Sequence, residues 1–100
     1  MAIYYFLFEA IPHEDNPERK EYSGAFVNCW VNSSDVNFAL KSATSYVNDQ
    51  GWEIIDVDEQ NIVNRERYEE DDELEESLDC FDQAVNLGIS AIFYTWPYDD

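Results

Sequence analysis

The spacing of apolar residues along this chain switches between two and about three and a half, and each switch marks an element boundary. Ala2 to Phe8 is almost wholly apolar or aromatic, the pattern of a strand covered on both faces and central in its sheet. The next stretch, IPHEDNPERKEYS, holds two prolines and an Asp-Asn-Pro turn signal and reads as a mobile connection between strands. Ala25 to Val31 then alternates, with Val27, Cys29 and Val31 on one face and Phe26, Asn28 and Trp30 on the other, which predicts a strand. Asn32 to Asp35 supplies capping side chains, and the apolar positions move to Val36, Ala39, Leu40, Ala43 and Val47, one helical stripe that Gly51 ends.

Trp52, Ile54, Ile55 and Val57 resume a strand period, which puts Asp56 on the face of Ile54. Asp58 to Asn61 is expected to turn, and Ile62 and Val63 to begin a short returning edge strand. Leu74, Leu78, Phe81, Ala84 and Val85 then mark a second amphipathic helix that stops at Gly88, with Asp72 as its expected N-cap and Glu75 completing a capping box. Ile89 to Trp96 alternates as a last strand, with Ile89, Ala91 and Phe93 on one face and Ile92, Tyr94 and Trp96 on the other. Pro97 ends it.

These elements predict one α+β domain over residues 1–100, in the order ββαβ(β)αβ. The expected architecture is a single mixed or antiparallel sheet of four or five strands with two helices on one face. The arrangement resembles the ferredoxin-like fold with an added N-terminal strand. That resemblance covers most of the chain but is topological only, and folds of this kind host unrelated functions.

Charge changes the picture more than size does. The chain carries 23 acidic and 5 basic side chains, a formal net of -18. Residues 1–50 hold seven acidic and three basic residues, and residues 51–100 hold sixteen and two. Such a field disfavours nucleic acid and anionic membrane and draws in a basic protein. No apolar run approaches the roughly 20 residues that cross a bilayer. The N-terminal run lacks the basic flank of a signal peptide, so a cytoplasmic location is expected. Cys29 and Cys80 are expected as two unpaired, buried thiols, since two cysteines make no disulfide framework.

Candidate chemistry is sparse. His13 stands alone in a polar connection, and no nucleophile-elbow pattern or glycine-rich phosphate loop occurs. The acidic run lacks the glycine that a calcium loop needs for its sharp turn, because none lies between Gly51 and Gly88. No catalytic, metal-ligating or cofactor-binding residue is therefore assigned, and an enzyme is not indicated. Arg65 and Arg67, the basic residues of the second half, would hold a small anion or pair with neighbouring glutamates.

Two surfaces stand out. The first is the acidic face of the second helix and its approach: Glu69, Glu70, Asp71, Asp72, Glu73, Glu75, Glu76, Asp79 and Asp82. The second is an aromatic sheet face drawn from Tyr5, Phe26, Trp30, Tyr94 and Trp96, in a chain that is 16% aromatic. If no helix covered it, this face would need loops, a second copy in a homodimer, or a ligand to shield it. The leading reading is a non-enzymatic interaction module whose acidic helix docks a basic partner, similar in style to small acidic inhibitor or immunity proteins that neutralise basic nucleases. The alternative is a small-molecule binding protein or unrecognised enzyme that uses the aromatic face, with a homodimer interface as its setting. Acidity as a solubility device stands beside both.

Overall fold

Strand β1 (Ala2–Pro12) pairs on both sides, which is what its unbroken apolar run requires. In the computed structural model, which describes residues 1–97, its neighbours are β2 (Tyr22–Ser33) and β3 (Trp52–Val63), and β4 (Ile89–Pro97) pairs with the far side of β2. The sheet order is β3-β1-β2-β4, and every pairing is antiparallel. Helix α1 (Val36–Asp49) joins β2 to β3 and must pass β1 to do so. The short α2 (Glu66–Glu69) and then α3 (Glu75–Leu87) join β3 to β4. The chain is thus α+β, with one four-stranded antiparallel sheet and helices.

The two long helices lie on opposite faces of that sheet, not on one face as the element pattern suggested. Ala39, Ala43 and Val47 of α1 pack with Tyr4, Phe6, Phe8, Val27 and Cys29. Cys80, Phe81 and Ala84 of α3 pack with Ile3, Tyr5 and Trp30, the alternate residues of the same strands. Because successive side chains of a strand point to opposite faces, these are two separate cores with the sheet between them. The physical reason is that β1 and β2 are apolar on both faces, so each face needs its own cover. The resemblance to the ferredoxin-like arrangement is therefore only partial.

Three local expectations are also corrected. No returning strand forms at Ile62, because β3 continues to Val63 and stays paired with β1 over that length. Two breaks in register, which pass over Asp58 and Ile55, absorb the polar stretch without a turn. The second break puts Asp56 opposite Glu9 and Ile54 opposite Ala10, so the two residues occupy opposite faces. Asp71, not Asp72, caps the acidic segment, its carboxylate accepting from the Glu73 N–H; a 3₁₀ turn over Asp72–Leu74 leads into α3.

Elsewhere the local chemistry performs as read. Asp35 caps α1 by accepting from the Phe38 N–H at 2.8 Å. Gly51 and Gly88 take φ of 90° and 98° after the helices. The stretch between β1 and β2, expected as a mobile connection, is instead held down: Asn16 caps a 3₁₀ turn over Pro17–Lys20, and its side-chain amide donates to the Gly51 carbonyl at 2.8 Å.

Candidate functional site

Helix α3 covers only one end of its sheet face, and the uncovered end is where the candidate site lies. Over the covered end the packing is closed. Trp30 is 1% exposed, its indole N–H donates to the Tyr68 hydroxyl at 3.0 Å, and Tyr68 packs edge-on against it and tilted against Phe81. Ser90 is buried and donates its hydroxyl to the Cys80 carbonyl. Tyr5 is buried beside Trp30 and donates to the Asn28 side-chain oxygen.

The register places the remaining side chains of this face in rows across the sheet. One row runs Asp56, Glu9, Phe26, Tyr94, and the row beside it runs Glu59, Leu7, Asn28, Ile92. Phe26 and Tyr94 are 42% and 47% exposed. Trp96 lies against Phe26 with ring centroids 4.9 Å apart and rests on Gly24, where a β-carbon would overlap the indole. A glycine in a strand interior marks such close approach. The result is an aromatic floor with carboxylates along one side, on β3 and β1.

A second set of carboxylates approaches from α3. Glu76 is close enough to Tyr94 to help raise its phenol above the ordinary range, after partial burial, the larger cause. At the inner end of the floor, a recess of about 270 Å³ is lined by Tyr5, Asn28, Arg67, Tyr68, Ser77 and Tyr94, among others. Arg67 sits 5.7 Å from the Tyr5 ring centroid and 5.9 Å from that of Tyr68, so a guanidinium already rests on two aromatic faces there. Burial, and then the nearby Glu59, push the Tyr5 phenol up to about 12.

The predicted site residues are thus divided. The aromatic set splits: Tyr5 and Trp30 are buried beneath the α2–α3 segment, while Phe26, Tyr94 and Trp96 form the open floor. All of the acidic set except the half-buried Asp82 is exposed. Arg65 joins Asp82 and Glu69 and holds the Asp82 carboxyl below its usual range, so these two acids are answered from within the chain. Glu9, Asp56 and Glu59 were missed as site residues, because only the register of β1 and β3 brings them beside Phe26 and Leu7.

Cys29 and Cys80 are free and buried, and burial pushes the Cys29 thiol up to about 12. His13 is half-buried, with its backbone N–H on the Gly51 carbonyl. Among the described residues no three His, Cys, Asp or Glu side chains gather as metal ligands do, and no helix is long and apolar enough to cross a membrane.

Set against family models, curated proteins and solved structures, the chain has no match in any of them. Its function is therefore read from the geometry of this face.

Proposed function

We propose that the chain is a non-catalytic protein-interaction module that docks a basic partner on the aromatic floor between β3 and α3. The observation that carries the reading is the pairing of exposed Phe26 and Tyr94, with the half-buried Trp96 beside them, with carboxylates on two sides, Glu9, Asp56 and Glu59 on one and Glu76 on the other. Lysine or arginine side chains gain from both features, a ring face beneath the cation and a carboxylate beside it. The rest of the acidic run, Glu70 to Asp79, would speed encounter and reject acidic partners more than it would add affinity.

The test is capture of basic proteins by the immobilised chain at low and at high salt, beside an Asp56→Asn, Glu59→Gln, Glu73→Gln, Glu76→Gln variant shown to be folded by circular dichroism. Capture that fades with salt and is weakened in the variant is expected. Capture that is absent, or indifferent to salt, overturns the reading.

The alternative, a small-molecule binder at the aromatic face, draws support from the recess at Arg67 and its two tyrosines. Titration with aromatic carboxylates, read by Trp30 fluorescence, tests it; an unchanged spectrum throughout removes it.

A further inference from the structure

The two edges of the sheet are unlike. Edge strand β3 carries Glu53, Asp56, Asp58 and Glu59 and two breaks in register, the devices that keep an edge from pairing with another chain. Edge strand β4 has none of them. Its sequence ISAIFYTWP holds no charged side chain and no proline before its last residue, and from Ile89 to Trp96 it keeps unbroken register with β2. Among the described residues no strand pairs with its outer side. A strand of nine residues left in this state is a template for one more strand.

Resting on the function proposed above, we propose that the basic partner docks as an extended segment of alternating basic and apolar residues that adds to the outer edge of β4 as a fifth strand. The two sides of β4 dictate the alternation. On the α3 side the new strand would lie beside Tyr94 and Trp96, and α3, which packs against β4, brings its exposed Glu76 close enough to act on Tyr94. Side chains directed there meet the Glu76 carboxylate and ring faces, which suits lysine and arginine. On the α1 side a recess of about 500 Å³ opens between α1 and β4, with Phe38, Tyr46 and Ile89 in its lining. Phe38 is 63% exposed, so apolar side chains directed there would cover a surface now left in water.

Main-chain hydrogen bonds would supply the attachment and the alternating side chains the selectivity. Charge decides against a second copy of the chain as occupant. A copy would bring a second molecule of net charge -18 against the first, and the two would repel, whereas a basic segment is drawn to the acidic chain.

The test uses four synthetic peptides against the whole chain at low salt, read by two-dimensional amide spectra and by Trp96 fluorescence. The parent is a heptapeptide of alternating lysine and valine. Two others are the parent N-methylated at the lysine amides or at the valine amides, and the fourth is a block peptide of four lysines followed by three valines. Each methylated peptide keeps the charge and loses the donors of one strand edge. The parent is expected to bind with shifts centred on Ile89–Trp96. At least one methylated form and the block peptide are expected to bind tenfold or more weakly. Equal binding by the block peptide or by both methylated forms overturns the inference, as do shifts that leave β4 untouched. A homodimer that already protects the β4 amides overturns it too. If the parent fails to bind while basic proteins are captured in a salt-sensitive way, the strand addition is wrong and the interaction reading stands; if both fail, both are wrong.

Discussion

Replacing Tyr68 with phenylalanine removes one oxygen from the closed end of the α3-side core and leaves the ring that packs against Trp30 and Phe81 in place. That oxygen accepts the Trp30 indole N–H at 3.0 Å, and the two residues are 5% and 1% exposed. The variant therefore leaves a buried donor without a partner, which costs about 1–3 kcal/mol. A domain of this size has about 5–15 kcal/mol in total, so the loss is large enough to read. At about 4–8 °C per kcal/mol, the Tm should fall by roughly 5–20 °C. Urea unfolding followed by far-ultraviolet circular dichroism should show a lower midpoint and an unchanged slope. Trp30→Phe removes the donor as well, and a double-mutant cycle should return a coupling of about 1 kcal/mol between the two sites. A loss below about 0.3 kcal/mol for Tyr68→Phe, within the range of ordinary surface substitutions, would refute the reasoning. Water would then be reaching the indole through the neighbouring recess, and that end of the sheet would not be sealed by α3.

Added salt should raise the Tm between low and moderate ionic strength, because screening relieves the self-repulsion of a net charge of -18; a Tm that falls contradicts this. Stability should also decline at alkaline pH through Tyr5, whose phenol rises from 10.0 to about 12 in the fold. Its contribution is complete below pH 10.0 and is lost as pH rises through about 12. Denaturation series across that window should show a shallower decline in Tyr5→Phe, and identical slopes would disprove the assignment. Gly24→Ala should push the Trp96 indole off β2, with destabilisation of about 1–3 kcal/mol and a red-shifted tryptophan emission; an unchanged emission spectrum would show that the ring is not seated there.

Much of the architecture was legible from local pattern. The alternation of Val27, Cys29 and Val31 against Phe26, Asn28 and Trp30 gave the correct faces of β2, and the same holds for β4. The helical stripe of Ala39, Ala43 and Val47 is the buried side of α1. The uninterrupted apolar run of β1 correctly marked a central strand. These features depend on the side-chain period of a single element, which a chain carries in its own spacing.

The sequence by itself determined the two long helices, the core of β1, β2 and β4, the buried sides of α1, β2 and β4 and the concentration of acid in the second half, because each follows from neighbours along the chain. The tertiary structure alone decided that α1 and α3 take opposite faces, since both faces of β1 and β2 offer apolar residues and no local signal says which helix goes to which. It also decided which aromatics stay in water. Tyr5 and Trp30 share a face with Phe26, Tyr94 and Trp96, and only the reach of the α2–α3 segment over one end of the sheet separates the buried pair from the open floor. The meeting of Glu9 with Asp56 beside Phe26 depended on register and on a bulge at Ile55. Register is settled by pairing between distant strands, where a slip of one residue exchanges the faces, and no pattern within either strand contains it.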